Sequence, residues 1–206
     1  MTRREITAAV AVTVLSLLGA CTAESSDETE GTPSPTRDAS DARADATVLA
    51  DAALPADWRA VPAADRLEGG PGRPRYCGVS AEPEDVVEGR IAFYEHTSLP
   101  QSVLAYGLQA DSVQDAQDVV DALTAATDEC REAEHELVST DVPAVGDAAL
   151  AWTFEATETD AQDFRLVVVR RGDVLAVLVA SGQPAVPADA QDAIARAVDT
   201  SVETAE

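Results

Sequence analysis

Apolar and polar positions change period several times along the chain, and each change marks an expected element. From Ser112 to Glu136 the spacing is helical. Val113, Ala116, Val119, Val120, Leu123, Thr127 and Cys130 recur at three and four residues, with Asp and Glu between them, which predicts one amphipathic helix across the span. Upstream, Ile91 and Phe93, then Val103 and Ala105, alternate with Tyr94, Leu104, Tyr106 and Leu108. That alternation predicts two strands joined by a turn at Ser98-Leu99-Pro100, with both faces partly covered. Beyond Pro143, Leu150, Trp152, Phe154 and Ala156 share one strand face. The run FRLVVVRRGDVLAVLVAS, residues 164–181, then reads as two apolar strands about a tight turn at Arg171-Gly172-Asp173. Strands so continuously apolar belong in the middle of a sheet. Pro184 and Pro187 interrupt the chain before Ala190, Ile194, Ala197, Val198 and Val202 mark a closing amphipathic helix.

The segment before these elements is less regular. TVLADAALPADW predicts a short helix that stops at Leu54, ahead of Pro55. Residues 59–90 read as loop, with the GGPGRP stretch from Gly69 to Pro74 wrapping the surface until Cys77 pins it. The order is therefore helix, two strands, long helix, three strands, helix. It predicts an α+β fold, an antiparallel sheet of about five strands with helices packed against one side, and no doubly wound nucleotide fold. Neither glycine-rich phosphate-binding motif occurs to argue otherwise.

Residues 1–20 follow an export pattern: Arg3 and Arg4, then an apolar run from Ile6 to Leu18 that ends in Gly19-Ala20. The run is shorter than the roughly 20 residues a membrane-spanning helix needs. Leu18-Gly19-Ala20-Cys21 resembles a bacterial lipobox, which implies cleavage before Cys21 and a diacylglycerol on its sulfur; the alternative is an ordinary signal peptide with a chance Cys. Two acyl chains suffice for stable anchoring. Residues 21–45 then form an acidic tether without large apolar side chains, unable to fold and spanning roughly 27 Å as a random coil. The folded domain is expected over residues 46–206. Removing Cys21 leaves an even pair, Cys77 and Cys130, which an oxidising compartment would bridge; two buried free thiols are the alternative. With Cys130 on the apolar stripe of the long helix, the bridge would fasten that helix to the loop carrying Cys77.

Composition adds constraints. Ala and Val supply 40 and 24 residues, while aromatic residues make up 4%, so the core is built from small side chains. All 14 cationic residues are Arg, and 38 Asp and Glu give a net charge of -24, which excludes nucleic acid and anionic lipid surfaces as partners. The lack of Lys beside abundant Ala, Arg, Asp and Val fits a G+C-rich genome and, with the lipobox, an actinobacterial source.

Candidate chemistry is sparse. The histidines are His96 and His135, and no nucleophile-elbow or zincin motif occurs, so no enzyme is expected; a paired-carboxylate hydrolase is the remaining catalytic alternative. Asp128, Glu132, His135 and Glu136 fall on one face of the expected helix, at spacings that could serve a metal, but read more simply as a solvated helix end. No metal or cofactor is expected. Arg66, Arg73 and Arg75 form the one locally basic stretch, a candidate site for a carboxylate or phosphate, or else arginines paired with neighbouring acids. Arg171-Gly172-Asp173 spells an adhesion tripeptide that a hairpin turn explains without a receptor.

Taken in order, Leu54-Pro55 with Trp58, Cys77 and Cys130 about a hairpin and helix, Val145-Gly146-Asp147-Ala148 before a strand, and Arg170-Arg171-Gly172 at a hairpin resemble the extracellular sensor domain of mycobacterial receptor-type Ser/Thr kinases, a domain also found in stand-alone lipoproteins. The resemblance implies a sheet with helices around a cleft for a small ligand. Family members often carry a second disulfide, for which this chain has no cysteines. The expected function is thus a membrane-anchored, extracytoplasmic lipoprotein that binds or senses a small ligand without catalysis. The alternative is a protein-interaction module assisting an envelope complex.

Overall fold

The computed structural model describes residues 43–63, 74–127, 130, 135–157 and 162–205. The expected signal peptide, Cys21 and the tether as far as residue 42 lie outside the described residues, as do Arg66, Arg73, Asp128 and Glu132. The elements are β1 (Trp58–Val61), β2 (Arg75–Tyr76), β3 (Val79–Ser80), β4 (Val86–His96), β5 (Gln101–Ala110), α1 (Val113–Ala126), β6 (His135–Ser139), β7 (Ala148–Ala156), β8 (Phe164–Arg171), β9 (Val174–Gly182) and α2 (Ala188–Thr204).

Seven strands form one sheet in the order β1-β4-β5-β9-β8-β7-β6, and β2 and β3 form a separate hairpin. Every neighbouring pair in the large sheet is antiparallel. The expected antiparallel sheet is present, with β9 and β8 in its interior, but it has seven strands rather than five. The additional two are its edges. β1 buries only Trp58 fully and is defined by distant pairing, Trp58 opposite His96, so its local pattern is weak. β6 pairs His135 with Ala156 and Ser139 with Trp152, where a continuing helix was expected.

That helix ends at Ala126. Its start is capped by Ser112, whose hydroxyl oxygen accepts the Asp115 amide, and its buried stripe is Ala116, Val119, Val120 and Leu123. The Thr127 hydroxyl bonds back to the Leu123 carbonyl at 3.1 Å, and the chain then leaves the helix. Cys130 is buried beyond the helix end, not on its stripe, and is disulfide-bonded to Cys77. The short helix expected around Leu49–Leu54 reduces to a 3₁₀ turn, Asp51–Ala53, with no buried residue to anchor anything longer.

The helices do not share a side. Tyr106, Leu108, Leu166, Val168, Leu175 and Val177 pack with the α1 stripe. Val167, Val169, Val174, Ala176 and Leu178 pack with Ile194, Ala195, Val198 and Val202 of α2 on the opposite face. The unbroken apolar runs of β8 and β9 dictate this arrangement, because a strand apolar at every position needs cover on both faces.

The segment from Ala44 to Leu49 completes the α2 face. Thr47 is buried against Gly107 of β5, where a Cβ would overlap its side chain. The Tyr94 hydroxyl accepts the Leu49 amide at 3.0 Å and donates to the Thr47 carbonyl at 3.3 Å. Burial pushes the Tyr94 phenol up to about 12. Arg43 pairs with Asp173 at 2.5 Å, and Arg90 with Asp45.

Candidate ligand site

Alternation along β8 places Arg165 with Val167 and Val169, facing α2 rather than solvent. The residue is 6% exposed. A guanidinium in such a place must be supplied with acceptors. Its Nη1 donates to Gln191 Oε1 at 3.0 Å and to Asp192 Oδ1 at 2.7 Å, and reaches the Ala188 carbonyl at 3.4 Å. Its Nη2 donates to the Asp141 carbonyl at 3.1 Å. Among the described residues the Nε–H has no acceptor.

A cavity of about 120 Å³ opens beside this side chain. Thr140, Thr153, Asp163, Arg165, Val186 and Ala188 are among its lining residues. Ala188 begins α2, so the positive end of that helix borders the cavity together with the guanidinium. Asp163 accepts the Ala156 amide through Oδ1 at 2.8 Å and is exposed. The arrangement joins a fixed, buried donor, hydroxyls and a carboxylate to an apolar wall, the composition of a small-molecule site.

Strand alternation in FRLVVVRR was the available signal for Arg165, and Gln191 stands on the same α2 stripe as Ile194, Val198 and Val202. Neither residue stood out while charge was read as clusters along the sequence.

A second cleft, of about 370 Å³, lies at the β4–β5 turn and includes Phe93, Glu95, His96, Leu99 and Gln101. Several of its polar groups are bonded within the protein. His96 Nδ1 accepts the Ser98 and Leu99 amides, each at 3.2 Å, and the ring meets Trp58 edge-on at 5.6 Å. Glu95 pairs with Arg59 at 3.3 Å, and the Gln101 amide donates to the carbonyls of Pro184 and Ala185.

Of the three-arginine stretch, Arg75 is the member within the described residues: it is exposed on β2 and donates to the Gly78 carbonyl at 2.7 Å. Arg66 and Arg73 lie outside them. His135 and Glu136 are consecutive strand positions, so the expected shared helical face with Asp128 and Glu132 does not form. Among the described residues no group of three or more His, Cys, Asp or Glu is placed to hold a metal. The adhesion-like tripeptide is half-buried and bonded within the protein. Arg171 clasps Asp199 at 2.6 and 2.7 Å, Gly172 takes φ 57° at the turn, and Asp173 accepts from the Gln109 amide at 3.0 Å. No described helix is long and apolar enough to cross a membrane.

No protein family matches the chain, and no curated protein matches it. Among solved structures it is similar to the extracellular domain of PknH from Mycobacterium tuberculosis, with a TM-score of 0.44 and 11% identity over 57% of this chain. The match covers 66% of that chain, just under two thirds of its length.

Proposed function

We propose that this chain is a non-enzymatic, small-ligand-binding or sensing domain, held at the outer face of the cytoplasmic membrane by lipid on Cys21. The observation that carries the binding role is a cavity lined by the buried, charged Arg165 together with the Asp163 carboxylate and the hydroxyls of Thr140 and Thr153. The Cys77–Cys130 disulfide supports an oxidising, exported location, and the Leu18–Cys21 sequence supports the anchor. The full-length chain, isolated from membranes in mild detergent and then unfolded, should release one small molecule in near-stoichiometric amount, read by mass spectrometry. Ala188→Leu, which narrows the cavity, should lose it. Release of nothing, or equal release from the variant, rejects the role for this site.

A further inference from the structure

We infer that the Arg165 cavity takes a small zwitterion of the α-amino-acid type, an inference that rests on the ligand-binding role proposed above. Charge selects the class. A simple anion would meet Asp163 at the cavity and Asp192 on Arg165, in a chain whose net charge is -24. A simple cation would face the guanidinium and the positive end of α2. A molecule carrying both charges satisfies both ends: its carboxylate faces the Arg165 guanidinium and the start of α2, and its ammonium faces the Asp163 carboxylate. Thr140 and Thr153 add hydroxyls to the lining, and Val186 with Ala180 supplies apolar wall for a short side chain.

Size narrows the class. A cavity of about 150 Å³ holds benzene, with its six non-hydrogen atoms. The observed volume of about 120 Å³ therefore suits glycine or alanine. An apolar ligand of equal size would desolvate the Asp163 carboxylate without offering it a partner, so the site discriminates against such analogues.

The test uses the full-length chain in detergent, titrated with alanine, glycine, acetate or methylamine at matched ionic strength. The Arg165 Nε–H resonance is followed by NMR, assigned by its loss in Arg165→Lys. Alanine and glycine should shift that resonance saturably, while acetate and methylamine bind at least tenfold more weakly. Asp163→Asn keeps an oxygen for the Ala156 amide, so it should preserve the fold while weakening alanine binding at least tenfold. Acetate binding as tightly as alanine, or unchanged affinity in Asp163→Asn, overturns the zwitterion. If neither zwitterion shifts the resonance but the co-purified molecule does, the zwitterion fails and the ligand-binding role stands. If neither these compounds nor any co-purified molecule shifts it, both fail.

Discussion

Gln191 and Arg165 hold each other by opposite ends: the Gln191 amide nitrogen donates to the Arg165 main-chain carbonyl at 3.0 Å while its oxygen accepts from the Arg165 guanidinium at 3.0 Å. The same nitrogen donates to Leu178 at 3.0 Å, so one fully buried side chain ties α2 to both β8 and β9. Gln191→Leu keeps the volume and removes these bonds. It should cost about 2–4 kcal/mol, measured by urea unfolding, because buried polar groups lose their partners. An unchanged midpoint would mean that the clasp contributes nothing net.

The Arg171–Asp199 pair predicts an acid limb in stability. Burial pushes the Asp199 carboxyl up, but the Arg171 hydrogen bonds and the Gly146 amide outweigh it and hold the group below its ordinary 3.8. A depressed folded value stabilises above the unfolded value and loses that contribution as pH falls through it. Wild type should therefore exceed Asp199→Asn in stability at pH 7, and the gap should shrink steadily below about pH 4. A gap constant from pH 7 to pH 2 would rule the pair out as its source.

The Cys77–Cys130 bond closes a long loop, with a sequence separation of 53. Thiol labelling of the unfolded, unreduced chain should detect no reactive cysteine in the mature domain. Replacing both residues by Ala should lower stability by roughly 4 kcal/mol in the chain-entropy treatment, read from denaturant midpoints.

Cys21→Ala should move the protein from the membrane fraction to the soluble fraction, because the expected lipid loses the sulfur that would carry it. Retention of the variant in membranes would place the anchor elsewhere.

Over residues 46–206 the chain carries 30 Asp and Glu against 10 Arg, so self-repulsion opposes compaction. Sodium chloride up to a few hundred millimolar should raise the melting temperature, most steeply at the start, because screening over about 8 Å is already reached near physiological ionic strength. A flat or falling curve would show that internal pairs such as Arg165–Asp192 already offset the repulsion.

Sequence periodicity located what is locally encoded. The alternation of β4 and β5, the apolar runs of β8 and β9 and the stripes of both helices all carry their burial in neighbouring residues. The elements that escaped it depend on distant partners. Trp58 becomes a strand residue only opposite His96, and His135–Ser139 only beside β7. Cys130 lay in register with the α1 stripe, so the helical period ran on through a chain that had already turned away. Arg165 was hidden by the same logic, since a single arginine in an apolar strand reads as tolerable until the strand proves covered on both faces.

The close approach of Thr47 to Gly107 determines how the fold meets mechanical load. Pull applied upstream of Arg43 enters over β5, a strand flanked on both sides, instead of peeling an edge of the sheet. The attachments of the segment are an ion pair at Asp173, the Tyr94 hydroxyl and the Thr47 seat, all outside the strand ladder. The segment is thus fastened to the sheet by side chains seated on its face and not as an added strand at its edge.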